Sequence, residues 1–158
     1  MDSRERGRTA FAGRNWHEAY DAFRECTELE AADLDALGEC AHWLGRADEV
    51  IVAYTEAFRR HCEAGRNGDA ALSAFMLAIY YRVGGEPRHA DGWTSRAQRL
   101  LADAEEGPEH GYPLFLQIAG LMDSDPDEAF AMARRMQDLG KRHHDDTLST
   151  LGLLFEGR

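Results

Sequence analysis

The histidines and acidic residues of "KRHHDD" (residues 141–146) are the densest group of side chains that could do chemistry. His143, His144, Asp145 and Asp146 have the composition of a metal site. Adjacent histidines rarely converge on one ion without distant partners, and the group falls where a turn is expected. We therefore expect a polar turn whose Asp caps the last helix, and we predict no metal or other cofactor.

The three cysteines do not form a second metal site or a disulfide framework. Cys26, Cys40 and Cys62 are widely spaced, and neither Cys40-x-His42 nor His61-Cys62 has the spacing of a structural zinc site. We expect reduced core thiols in a cytoplasmic protein. The sequence also contains no nucleophile elbow, P-loop or Gly-rich dinucleotide turn, so we predict that the chain is not an enzyme.

The composition indicates a globular chain with an acidic surface. Of its 158 residues, 44% are hydrophobic and 30% are charged, and we predict a single domain over residues 1–158. The formal net charge is −11. Nucleic-acid binding needs a basic face, so we expect none by this chain alone. The stretch "MDSRERGRTAFAG" lacks an apolar run and no segment has the length of a membrane span, so we expect neither a signal peptide nor a membrane location.

Apolar residues recur every three to four positions through almost the whole chain, which is typical of amphipathic helices. No segment alternates over the length of a strand. Asp125-Pro126, followed by Glu128, has the form of a capped helix start. The predicted helices span residues 2–12, 16–28, 31–44, 47–64, 69–83, 87–104, 109–122, 126–139 and 145–156. The loops between them are short and carry glycine.

Small and aromatic residues recur at equivalent places in successive helix pairs. In the second helices, Ala19, Val50, Ala90 and Ala129 align, and Phe23, Tyr54, Thr94 and Ala133 follow four residues later. The first helices carry small residues at Gly7, Gly38, Ala78 and Gly152. We expect the small residues to let two helices approach closely and the large ones to fill the gap between neighbouring pairs. Trp16 is expected to pack at the turn of the first pair.

This pattern resembles the tetratricopeptide repeat, and "ALGECAHWLGRADEVIVAYTEAF" (residues 36–58) carries the resemblance best. The spacing departs from that family, because Ala19 to Val50 is 31 residues (50 − 19) and Val50 to Ala90 is 40 (90 − 50), against a usual period of about 34. The resemblance implies an all-α fold, a right-handed α-solenoid of about four helical hairpins plus one C-terminal helix.

The stretches "GRADEVIVAYTEAFRRHCEAGRNGDAALSAFMLAIYY" and "GPEHGYPLFLQIAGL" are also similar to the repeat segment of actinobacterial LuxR-type transcriptional regulators. In those regulators the helical repeats sit beside a C-terminal helix-turn-helix domain. No basic recognition helix occurs in this sequence, so we expect the sensory or assembly part alone. The resemblance implies a non-catalytic protein-protein interaction scaffold. The alternative is a small-molecule or peptide sensor with a pocket in the concave face.

The resemblance places a protein or peptide partner on the concave face, which the first helix of each pair lines. The small-residue alignment assigns to that face Arg4, Arg8, Phe11, Asp35, Glu39, His42, Trp43, Phe75, Ile79, Arg82, Leu114, Ile118 and Met122. Trp43 is the expected anchor for a partner. The sensor alternative would use a pocket lined by Trp43, Phe75 and Ile79. A third interpretation is that tight curvature closes the groove and leaves those side chains in the core.

The segment "DDTLSTLGLLFEGR" is predicted to form a last helix with an apolar stripe of Leu148, Leu151, Leu154 and Phe155. The stripe either folds back onto the preceding helix or pairs with a second copy of the chain. We favour the homodimer, because Leu153 adds apolar surface beyond what one neighbouring helix covers.

Overall fold

In the computed structural model, which describes residues 1–156, every regular element is helical. The fold is therefore all-α over that range, as predicted. The helices are α1 (Ser3–Ala12), α2 (Trp16–Glu25), α3 (Ala31–Trp43), α4 (Ala47–Glu63), α5 (Asn67–Val83), α6 (Pro87–Ala102), α7 (Tyr112–Leu121), α8 (Pro126–Arg142) and α9 (Asp146–Glu156). A short 3₁₀ turn, Pro108–Gly111, precedes α7.

Two predicted helix bounds were wrong for identifiable reasons. The predicted helix 109–122 divides into the 3₁₀ turn and α7, where Pro113 lies in the first turn and has no N–H to donate to a preceding carbonyl. Helix α8 continues to Arg142, so Gly140 is a helical residue and not a loop residue. A side chain at Gly140 would meet the Ser149 backbone of α9, so the two helices approach closely there. The predicted start of α8 is confirmed, since Asp125 accepts a hydrogen bond from the Glu128 N–H at 3.2 Å.

Five of the turns between helices share one geometry. Each has a residue in the left-handed region two positions before the next helix begins: Arg14, Gly45, Gly65, Gly85 and His144. In each, the next N–H donates to a carbonyl five residues back, which is the Schellman arrangement. These bonds join Asn15 to Ala10, Arg46 to Ala41, Arg66 to His61, Glu86 to Tyr81 and Asp145 to Gly140. The chain therefore reverses in the same way at all five places.

The first two helix pairs pack through glycine. A Cβ placed on Gly7 would lie 2.8 Å from the Phe23 ring, and one on Gly38 would lie 2.7 Å from the Tyr54 ring. Each ring thus contacts the glycine of its own hairpin. Both rings also belong to the cluster that joins α1 to α5, and Tyr54 borders a cleft with residues of α5. The expectation that the rings fill the gap between neighbouring pairs stays a prediction. Trp16 packs edge-on against Phe11 at the first turn, as predicted.

The apolar side chains form two main clusters at opposite ends of the chain. One joins α1 to α5 and includes Phe23, Tyr54 and Leu77. The other joins α7, α8 and α9 around Ile118, Met136 and Leu148. None of the described helices is both long enough and apolar enough to cross a membrane.

The predicted apolar stripe of α9 is buried at some positions and exposed at others. Leu148 is fully buried, and Leu151 and Phe155 pack against the α7–α9 cluster. Leu154 stays 61% exposed and its neighbour Leu153 51% exposed. The stripe therefore folds back onto the preceding helices only in part, and the homodimer stays a prediction.

Candidate binding cleft

A cleft of about 450 Å³ is lined almost entirely by the odd-numbered helices. Helices α1 and α7 contribute one aromatic side chain each, and only Tyr54 comes from an even-numbered helix. The lining from α3 is Ala32, Asp35, Ala36 and Glu39; from α5 it is Asp69, Leu72, Ser73, Phe75 and Met76; and Phe11 and Tyr112 stand at the two sides. Four helices that are separate in sequence thus share one surface.

Two contacts fix the relative direction of α3 and α5. Ser73 donates a hydrogen bond to Asp35 at 2.7 Å, and His42 contacts the Tyr80 hydroxyl. The second contact lies seven residues beyond the first on both helices, so α3 and α5 run side by side in the same direction. At 1.5 Å per residue, this common face extends for about 10 Å.

Asp35 is held in place by partners on two other helices. The His61 ring of α4 donates from Nε2 to Oδ2 at 2.7 Å, and the Ser73 hydroxyl donates to Oδ1 at 2.7 Å. A carboxylate only accepts hydrogen bonds, so His61 Nε2 carries the proton in this pair. Burial raises the pKa of Asp35; the bonds from His61 and Ser73 oppose that rise, and the nearby Asp69 charge adds to it.

The Ser73, Asp35 and His61 side chains do not form a nucleophilic triad. In such a triad the imidazole lies between the hydroxyl and the carboxylate and takes the hydroxyl proton. Here the carboxylate lies between the other two, so Ser73 has no base. His61 is 2% exposed, and its buried Nδ1 has no hydrogen-bond partner in the described chain. The arrangement fits the positioning of Asp35 at the cleft wall.

Glu39 and Asp69 are the other two acids of the cleft. Within residues 1–156 neither carboxylate has a hydrogen-bonded or ion-paired side-chain partner. No Lys or Arg of the part of the chain that the structure describes lines the cleft. The remaining lining is largely apolar, with Phe11, Leu72 and Met76 among it. The cleft therefore combines an apolar surface with uncompensated negative charge.

A row of aromatic rings continues from the cleft along the same helix faces. Phe11, which lines the cleft, packs edge-on against Trp16, and Trp16 stacks on Trp43 with ring centroids 5.8 Å apart. His42 packs edge-on against both Trp43 and Tyr80. Trp43 is nevertheless 59% exposed. This aromatic row presents a large accessible ring about two helical turns from Asp35.

The structure brings only some of the predicted binding residues together. Asp35, Glu39 and Phe75 line the cleft, and His42 and Trp43 lie in the aromatic row. Phe11 also lines the cleft. Arg4 and Arg8 pair with Asp33, and Leu114 is buried in the α7–α9 cluster. Four more predicted contacts, Ile79, Arg82, Ile118 and Met122, lie elsewhere too.

Those four residues occupy three different places in the fold. Ile79 is half-buried and does not line the cleft. Arg82 pairs with Asp91 at 2.7 Å on α6. Ile118 is fully buried in the core, as the closed-groove alternative predicted, and Met122 packs against the same cluster. Ile118 is therefore a packing residue and not a surface contact.

Sequence spacing alone did not identify Asp69, Leu72, Ser73, Met76 and Tyr112 as cleft residues. The first four recur at intervals of three, one and three residues, which is the spacing of one helical face on α5. The predicted register used Phe75, which also lines the cleft, and Ile79, which does not. Spacing along α5 could have identified the correct face; Tyr112 has no such signal, because it follows an irregular segment.

A second cavity, of about 560 Å³, lies on the other side of His61. Arg4, Arg60 and Arg66 line it, but two of these serve the fold. Arg4 donates to the Glu28 carbonyl at 3.1 Å, and Arg60 donates to the Leu29 carbonyl and pairs with Glu56. These contacts hold the α2–α3 connection against α1 and α4.

Comparison of the chain with protein-family models, with curated proteins and with solved structures finds no match. The resemblance to the tetratricopeptide repeat and to LuxR-type regulators therefore stays a prediction. In the described residues no group of three or more His, Cys, Asp or Glu side chains is placed to hold a metal. Asp145 of the "KRHHDD" segment caps α9, since its side chain accepts the Leu148 N–H at 2.9 Å, as predicted.

Proposed function

We propose that this chain is a non-catalytic, cytoplasmic protein-interaction scaffold that holds a peptide segment of a partner protein in the cleft. The observation that carries the proposal is the shared lining: α1, α3, α5 and α7 all contribute to one groove of about 450 Å³. A surface assembled from several stacked helices is how repeat proteins present a binding face. We further propose a tetratricopeptide-like, right-handed array, the repeat module of a bacterial regulator. The parallel course of α3 and α5 and the five equivalent turns support that array.

The aromatic row supports a partner longer than a small molecule. Trp43 is accessible, and Trp16 holds its ring in place from one side. A rigid, exposed Trp contributes much contact area at low conformational cost, so it is a suitable anchor. The cleft and Trp43 together would accommodate a segment of about 10 Å or more.

A small-molecule sensor is the second candidate, and the size of the cleft favours it. Pockets for small ligands occupy roughly 300–1,000 Å³ and are mostly apolar with a few polar groups. The cleft meets both criteria, with the Asp35 carboxylate as an oriented polar group.

The experiment is a selection of random peptides displayed on phage against the full chain. Leu72→Arg fills the cleft from a half-buried position, whereas Val52→Arg adds the same charge at a position that is 69% exposed on α4. We expect selected peptides to lose affinity for Leu72→Arg by about tenfold or more and to keep it for Val52→Arg. Trp43→Ala is expected to weaken binding without unfolding the chain, because the ring is mostly exposed.

Peptides that bind both arginine variants equally would refute the cleft as the binding surface. If no peptide is selected, a thermal-shift screen of small metabolites distinguishes the sensor. Compounds that raise the Tm of the wild type but not of Leu72→Arg would establish the second candidate in place of the first.

A further inference from the structure

We infer that the segment held in the cleft carries a Lys or Arg side chain flanked by apolar residues; this inference rests on the proposed function. Among the described residues, the cleft lining contains three carboxylates and no Lys or Arg side chain. Charges of one sign on apolar walls concentrate the electrostatic field in the space between them. An anionic group, or a neutral polar group, that entered this space would displace water from the carboxylates. It would not replace the favourable interactions that the water makes with them.

The three acids differ in what they offer a cation. Asp35 is already bonded to His61 and Ser73, so it is fixed in orientation. Glu39 lies one helical turn further along the same face of α3, and Asp69 faces the cleft from α5. Because these two have no side-chain partner within residues 1–156, they are the ones expected to receive the cationic head.

The apolar lining of the cleft suits the hydrocarbon part of the partner's Lys or Arg side chain. Lys and Arg lay their hydrocarbon stems along apolar surface while the charged head reaches a polar group. Leu72 and Met76 supply such a surface on α5, and the Phe11 and Tyr112 rings also line the cleft. The neighbouring positions of the segment are therefore expected to be apolar.

The aromatic row distinguishes a peptide from a free amine. The surface continues from Asp35 to Trp43 over about two helical turns, roughly 10 Å. A small amine would fill only the acidic end. Glu39 lies four residues before Trp43 on α3, about 6 Å along the helix, and Asp35 lies about two turns before Trp43. The partner segment is therefore expected to place a large apolar side chain on Trp43 and its cation roughly 6–12 Å away, which is about four to eight residues in a helix.

The test uses the peptides selected on the full chain, resynthesised with a fluorophore and measured by anisotropy. We expect Lys or Arg beside apolar residues to be enriched in the selected sequences. The double variant Glu39→Gln/Asp69→Asn should weaken binding about tenfold or more and flatten its salt dependence. The control is Glu105→Gln/Asp127→Asn, which removes the same charge from positions outside the cleft; Asp127, like Asp69, lies in the first turn of a helix.

Each outcome separates this inference from the proposed function. Peptides without a basic residue that are still blocked by Leu72→Arg would overturn the inference and leave the scaffold in place. Equal losses in the two double variants would overturn it too, because the effect would then come from net charge. Peptides that ignore Leu72→Arg would remove the proposed function itself. Circular dichroism of each variant establishes that the helices are intact.

Discussion

Replacing Gly38 by alanine tests whether the first helices approach their partners as closely as the structure indicates. A Cβ at Gly38 would lie 2.7–3.0 Å from three carbons of the Tyr54 ring. Real Cβ atoms essentially never come within 3.0 Å of another heavy atom. The Tyr54 side chain is 6% exposed and packs in the α1–α5 cluster, and it also lines the cleft, so the ring can withdraw only toward the cleft.

Two opposing contributions determine how much Gly38→Ala changes the free energy of unfolding. Alanine favours a helix interior over glycine by about 1 kcal/mol. Overpacking a well-packed core costs about 1–3 kcal/mol. We therefore expect Gly38→Ala to leave the free energy of unfolding unchanged at best and to lower it by up to about 2 kcal/mol.

The matched control is Gly92→Ala on α6. Gly92 is also inside a helix, but no atom lies within 4 Å of a Cβ placed there. Gly92→Ala should therefore raise the free energy of unfolding by most of the roughly 1 kcal/mol by which alanine favours a helix over glycine. The difference between the two variants isolates the contact with Tyr54, and we expect it to be about 1–3 kcal/mol.

Urea unfolding followed by circular dichroism at the helix band measures both variants. In a Tyr54→Ala background the ring is absent, and Gly38→Ala should become as favourable as Gly92→Ala. Equal stabilisation by Gly38→Ala and Gly92→Ala in the wild-type background would refute the close approach of α3 and α4.

Three further measurements test other parts of the structure. Arg14 and Gly45 both have positive φ, 58° and 72°, which favours glycine. Arg14→Gly should therefore raise the free energy of unfolding by up to about 1 kcal/mol, and Gly45→Ala should lower it by about 1–2 kcal/mol. The urea midpoint of each variant measures the change. Because the pKa of Asp35 is raised above its ordinary 3.8, its contribution to stability is full below that value and is lost as pH rises through the folded pKa. The stability of Asp35→Asn relative to wild type should therefore improve from about pH 3.5 to about pH 7, and a flat difference would contradict this. Leu154→Asp should convert a dimer to a monomer in sedimentation if α9 carries the interface, and a dimer that persists would place the interface elsewhere.

The helices and their turns are predictable from the sequence because local interactions determine them. The amphipathic period predicts each helix from its own residues, and the Schellman bond spans only about five residues. The glycines at positions 45, 65 and 85 mark three of the five turns, since the left-handed region favours glycine. Arg14 and His144 occupy the same conformation without that signal.

The alignment of small and aromatic residues also carries information about packing. It marks Gly38 as a small position and Tyr54 as a large one, and those two residues touch. It does not reveal that the ring packs on the glycine of its own hairpin. The rotation of each helix about its axis depends on all its neighbours at once, so a period alone leaves the register open. The incomplete prediction on α5, which included Phe75 and Ile79 but not the cleft residues Leu72 and Met76, follows from that.

The residues of the cleft come together only through tertiary packing. Asp35 bonds to residues 26 and 38 positions away, and no spacing rule connects three residues on three helices. Whether they meet depends on how the hairpins stack, and many weak apolar contacts along the chain determine that stacking. The same contacts bury Ile118, leave Trp43 exposed and bury only part of the apolar stripe of α9. An acidic, all-helical chain of hairpins follows from the residues themselves, because charge is additive and helices and turns are local. The choice of side chains that face the cleft does not, because it depends on contacts between residues far apart in the chain.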